Sequence, residues 1–230
     1  SVFVQPSAFS SGLTSSKTFT LSTSPGGSTS LSSLTFAGVD KTITTADSII
    51  VRDTLSLTAG FLILDGGSLV LEPAATVSGG SAASFVATSG QGYVTHLDLS
   101  GSKLFPTGIN NSYNPLTLNN AGAANSVRLV NDVFDNGLSG APVDTVVNKT
   151  WILNEAVPGT AQLTGTFGWS AANEKVGFDR NSIFVEGFFG AWQNIGGTDP
   201  VAALGADPFT VQSPLTGSFV NTPVRLISTQ

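Results

Sequence analysis

Between Ile49 and Leu71 apolar residues fall at every second position, and turn residues cut the run every few steps. Leu55 and Leu57 alternate with Thr54, Ser56 and Thr58. Leu62, Leu64, Leu69 and Leu71 carry the rhythm past Ala59-Gly60 and Asp65-Gly66-Gly67. A period of two belongs to strands that bury one face. From Leu31 to about Val86 the pattern predicts short strands at Leu34–Phe36, Thr42–Thr44, Ile49–Val51, Leu55–Leu57, Phe61–Leu64 and Leu69–Leu71. Strands too short to bury a face alone stack as coils, so residues 31–90 read as a short β-solenoid or stacked-strand part; a meander of hairpins fits the same text.

The text changes near Gln91, where charged and aromatic residues become commoner. Strands are predicted at Tyr93–Leu99, Leu116–Leu118, Ser126–Val130, Val146–Leu153, Gln162–Gly168, Ile183–Phe189, Phe209–Val211 and near Val224–Ile227. Turn-rich loops separate them, and most prolines fall between strands, where a missing N–H does least harm. Residues 91–230 are therefore expected to form an antiparallel β-sandwich, which makes the whole chain all-β. Residues 1–30, rich in Ser, Thr and Gly, read as an N-terminal arm. Within the strands, Trp151 and Trp169 are expected to anchor the core.

Composition narrows the function classes. Of 230 residues, 40% are hydrophobic and only 10% charged, against about 25% in typical domains, so Ser, Thr, Asn and Gly must clothe the surface. A net charge of −6 with scattered Lys and Arg argues against nucleic acid, which needs a basic stripe, and no apolar run of about 18 residues spans a membrane as a helix. Cys and Met are both absent, which removes disulfides, thiolate metal sites and the readily oxidised side chains. That suits a long-lived extracellular part. A chain starting at Ser1 reads as a processed product or an excised piece.

No catalytic residue is nominated, and no cofactor is expected. His96 is the lone histidine, alternates with Thr95 and Leu97, and reads as a polar strand-face residue; no G-x-S-x-G elbow accompanies it. Paired carboxylates for glycoside chemistry would have to come from Glu72, Glu155, Glu174 or Glu186, which lie in different segments and read as surface or turn residues. Asp132 and Asp135 are a weak calcium candidate, since Asn131–Gly137 lacks the spacing of a calcium loop and Asp-Asn-Gly is first a turn signal. Trp192, Phe188 and Phe189 are a candidate platform for stacking sugar rings.

Several pieces stand in order from Phe105 onward: Phe105-Pro106-Thr107-Gly108, Ser112-Tyr113-Asn114-Pro115-Leu116-Thr117-Leu118, Val147-Asn148-Lys149-Thr150-Trp151, Phe167-Gly168-Trp169 and Gly190-Ala191-Trp192. Together with the preceding Leu-rich repeat text they cover about residues 45–195. This stretch resembles a module of large secreted surface proteins of the Bacteroidetes, of the kind exported by the type IX system. The resemblance implies a non-catalytic repeat of an adhesin or filament at the cell surface. It also implies O-glycosylation at Asp-Ser/Thr-apolar triplets, with Ser48, Thr54 and Thr145 as candidates. The expected partners are other copies of the chain or other surface proteins, with glycans as the alternative. Val2, Phe3 and Val4 are the candidate strand for such self-association.

Overall fold

The structure, a computed structural model, describes residues 28–37, 41–44, 48–89, 92–109, 111–132 and 144–228. Its strands run β1 (Ser28–Phe36), β2 (Lys41–Thr44), β3 (Ser48–Leu57), β4 (Leu62–Asp65), β5 (Ser68–Leu71), β6 (Thr76–Gly79), β7 (Val86–Ser89), β8 (Tyr93–Phe105) and β9 (Thr107–Ile109). There follow β10 (Ser112–Tyr113), β11 (Leu116–Asp132), β12 (Thr150–Glu155), β13 (Leu163–Trp169), β14 (Ile183–Phe188), β15 (Trp192–Asn194), β16 (Phe209–Leu215) and β17 (Thr222–Ser228). The one helical element among the described residues is a 3-10 turn, Ala171–Asn173. The protein is all-β, as the alternation predicts.

The first half is a β-solenoid-like stack of about three turns. Each coil gives one strand to each of two parallel sheets: β1, β3, β5 with β6, and β8 in one; β2, β4, β7 and β9 in the other. In the first sheet Ser28, Ser48, Ser68 and Tyr93 align, so successive coils advance by 20, 20 and 25 residues. In-register stacking sets like on like. Ile49, Leu69 and Val94 form one buried column, while Leu34, Leu55 and half-buried Val77 form another. Polar positions form ladders too: Ser48 Oγ lies 2.6 Å from Ser68 Oγ. Where β3 runs on for ten residues, its neighbour is broken into β5 and β6 by Glu72-Pro73-Ala74-Ala75, because proline has no N–H to give the ladder. Gly79 follows the break at φ +82, and a Cβ there would sit 2.1 Å from the Leu57 carbonyl oxygen. The coils approach too closely there for any other residue.

The stack passes into antiparallel structure through β8. Its first four residues pair in parallel with β5, while its length pairs antiparallel with the 17-residue β11. Irregularities near Asn120–Val127 bend β11, and the sheet forks there. Leu116–Asn120 pairs with β13, which leads to β16; Val127–Asp132 pairs with β12, which leads to β17, β14 and β15. The two arms meet through Trp151 of β12 and Phe167 of β13, whose rings pack edge to face at 5.1 Å. One hydrophobic cluster runs from Leu34 in the first coil to Leu226 in β17.

Two expectations need correction. Val146–Leu153 is not one strand: Val146 bridges Ile227, Val147 bridges Glu174, and β12 begins only at Thr150, because this segment crosses between partners. His96 points inward, continuing the Val51–Leu71 column, and is 1% exposed.

Candidate functional site

On the outward side of the β12 arm, Phe188 and Trp192 face each other across β14 and β15, with ring centroids 5.4 Å apart. The Arg225 guanidinium lies 4.1 Å from the Trp192 ring centroid, and Glu186 Oε2 accepts from Arg225 Nε at 2.7 Å. A cation over an indole face with a carboxylate behind it holds the ring in place. Phe189 takes no part. The alternation of β14 turns it to the other side, where it is 39% exposed and lies 6.5 Å from the Phe219 ring. Two of the three proposed stacking residues are thus brought together, and both are half-buried.

The other predicted sites are scattered. Asp132 ends β11, and its charge pulls upward on the pKa of Lys149, which burial lowers more strongly. Asp135 lies outside the described residues, as do Val2, Phe3 and Val4. Among the glycosylation candidates, the Ser48 hydroxyl is bonded to Ser68, and Thr145 is 8% exposed with its carbonyl accepting from the Ser228 N–H at 2.8 Å. The Thr54 hydroxyl is nearest solvent, 3.5 Å from that of Thr76.

Of the glutamates read as surface or turn residues, Glu155 is instead buried at the end of β12, while Glu174 does sit in a turn, after Ala171–Asn173, with its carboxylate engaged. Glu155 is 3% exposed, and its carboxylate accepts four hydrogen bonds. They come from Asn125 Nδ2 (3.1 Å), Ala161 N (3.3 Å), Gly159 N (3.0 Å) and Phe219 N (3.1 Å). Glu174 accepts from Trp169 Nε1 and from Arg180 Nε and Nη2, each at 2.8 Å, and raises the Arg180 pKa. Strand ends and turns expose backbone N–H groups, and a carboxylate satisfies several at once. Neither residue has a free carboxylate for proton transfer.

His96 is also engaged. Its Nε2–H donates to the Leu104 carbonyl at 3.0 Å, its ring packs edge-on against Phe105 at 4.7 Å, and burial lowers its pKa to about 4. It is neutral at pH 7. Among the described residues no group of three His, Cys, Asp or Glu side chains could hold a metal ion. Nor is any helix of the described residues long and apolar enough to cross a membrane.

A cleft of about 290 Å³ opens between the end of the stack and the β13 arm, lined by Asn111, Ser112, Tyr113, Asn173, Asp207 and Pro208 among others. Asn173 Oδ1 accepts from Ser112 Oγ (2.8 Å) and Asn114 Nδ2 (3.0 Å); Asp207 Oδ2 accepts from Ser170 Oγ (3.0 Å) and Ala171 N (3.3 Å). Burial pushes the Tyr113 phenol up to about 12, so it remains protonated. Among the described residues that line it, Asp207 is the single carboxylate, and the cleft presents hydrogen-bonding groups to a polar ligand. Of its lining, only Ser112 and Tyr113 stood out in the sequence; Asp207 comes from a loop with no motif.

Some of the pieces that carry the resemblance meet around Asn114-Pro115, whereas Gly190-Ala191-Trp192 lies apart, where β14 turns into β15. Pro106 turns the chain from β8 into β9, the Asn114 carbonyl accepts from Trp151 Nε1 at 3.0 Å, and Gly168 N donates to the Pro115 carbonyl at 2.8 Å. No protein-family profile matches the chain, and searches of curated proteins and of solved structures return no match either.

Proposed function

We propose that the chain is an extracellular structural or adhesive β protein, a subunit or repeat of a surface filament or adhesin stalk, working by self-association or surface attachment. The observation that carries this reading is the unbroken ladder from β1 through β8 and β11 to β15, backed by a single apolar cluster. Such a body transmits load through many backbone hydrogen bonds in series. The two facing arms are read as a sandwich, and the weakly charged Ser/Thr/Asn surface as a hydrated coat. The absence of Cys and Met suits an oxidising exterior, and the resemblance to Bacteroidetes surface modules points the same way. Size-exclusion chromatography with electron microscopy tests it. Concentration-dependent oligomers or end-to-end particles are expected, and a globular monomer at every concentration contradicts assembly.

A second reading is a carbohydrate-binding module, favoured by the pairing of Phe188 and Trp192 on the outward side of the β12 arm. Glycan-array binding lost in Trp192→Ala supports it; binding that survives the substitution removes Trp192 from the site.

A further inference from the structure

An antiparallel sheet with one face on the core commonly turns polar residues to water on the other. The ladder of β8, β11, β12, β17, β14 and β15 departs from that pattern. Its inward residues, Leu129, Leu153 and Val224 among them, are core, yet many of the residues that alternate with them are apolar too. Trp192 stands opposite Phe188, Phe184 opposite Ile227, Pro223 opposite Ile152, and Ile152 opposite Val130. All are half-buried, so each keeps part of its surface in water. The pair at Trp192 is thus one end of a continuous apolar face, and such a patch marks a docking surface.

The charges on this face balance. Glu186 and Arg225 form an ion pair at 2.6 Å, and Arg128 and Asp132 each stand two residues from Val130 on the same side. Arg225 is 6% exposed against the Trp192 ring, and Arg128 lies 4.8 Å from the ring centroid of Tyr93 in β8. A chain of net charge −6 repels copies of itself, but these two cations and two anions leave the face neutral. A strongly charged partner finds no net field here. We infer that the face packs against the same face of a second copy, which names the contact in the self-association reading and rests on that reading. A two-fold axis running across the strands at Val130 lays Asp132 of each copy over Arg128 of the other, so opposite charges meet and apolar rows meet. From β8 to β15 the face is about 24 Å wide and about 20 Å along the strands, on the order of 500 Å² in projection; with side-chain relief this approaches the ~800 Å² per partner of a standard interface.

Sedimentation velocity of the whole chain over a wide range of concentration tests the contact. The native chain is expected to dimerise. Ile152→Lys and Val130→Lys place an unpaired charge in the contact and should raise the dissociation constant at least about tenfold. Ser33→Lys, the same charge on an exposed residue of β1, should leave it unchanged. Circular dichroism shows which variants fold, and Ile152→Thr, which keeps a β-branched residue in the strand, carries the test where a lysine variant does not. The swap Arg128→Asp with Asp132→Arg should dimerise and Asp132→Arg alone should not; equal dimerisation of the two overturns the arrangement. If the folded lysine variants dimerise like the native chain, this face is not the contact although self-association stands. A native monomer at every concentration overturns both, including a monomer that binds glycan through this face.

Discussion

His96 is a titratable ring placed where an aliphatic residue would continue the column, and this has a consequence for pH. Its folded pKa, about 4, lies below the ordinary 6.5, because burial disfavours the imidazolium. The unfolded chain therefore takes up the proton first. The contribution is fully present above about pH 6.5 and is lost as pH falls toward 4, with a slope near 1.4 kcal/mol per pH unit in that window. Urea midpoints measured between pH 7 and 4 should fall, and in His96→Phe, which keeps an aromatic ring beside Phe105, the extra slope should vanish. Glu155 makes a different prediction. Its replacement by Ala leaves three backbone N–H groups without their acceptor, so a loss of about 3–5 kcal/mol is expected in chemical denaturation. Neither role was legible in the sequence. Burial of a lone His or Glu depends on which segments close over it, and strand alternation carries no record of that.

At the scale of elements, the alternation located the strands that bury large side chains. Leu55, Leu57, Leu62, Leu64, Leu69 and Leu71 are all core residues. It missed β6, β7, β9, β10 and β15; Thr76–Gly79, for one, holds only one large apolar residue and is a strand because β3 lies beside it. It ran Val146 and Val147 into β12 for the converse reason: β-branched residues favour extended backbone without naming a partner. Each column should respond as a unit. Leu69→Ala, between Ile49 and Val94, should cost about 2–5 kcal/mol by thermal or chemical unfolding. At the coil corner, Gly79→Ala combines strain at positive φ with a Cβ against the Leu57 carbonyl, so a loss above about 1 kcal/mol is expected there. As for the candidate site, Trp192 and Phe188 were legible as aromatics at a strand end. That Phe189 faces away follows from the pleat, and that Arg225 covers Trp192 follows from the β14–β17 register, which a single strand's text does not contain.

For the whole molecule, the decisive element is β8, which belongs at once to the parallel stack and, through β11, to both arms. The buried Asn114 fastens the same junction from the inside: its N–H donates to the Thr107 carbonyl of β9, and its own carbonyl accepts from Asn131 Nδ2 of β11 and Trp151 Nε1 of β12. Among the described residues the stack and the fork share one strand ladder and one apolar cluster, which is the continuity that the proposed load-bearing role requires. All three tryptophans, Trp151, Trp169 and Trp192, lie in the arms, whereas far-ultraviolet circular dichroism reports strands throughout. Equilibrium urea unfolding followed by both signals is therefore the most direct measurement. A single scaffold predicts coincident transitions with one midpoint and one slope. Two resolved midpoints, with tryptophan fluorescence changing apart from the dichroism, would contradict it.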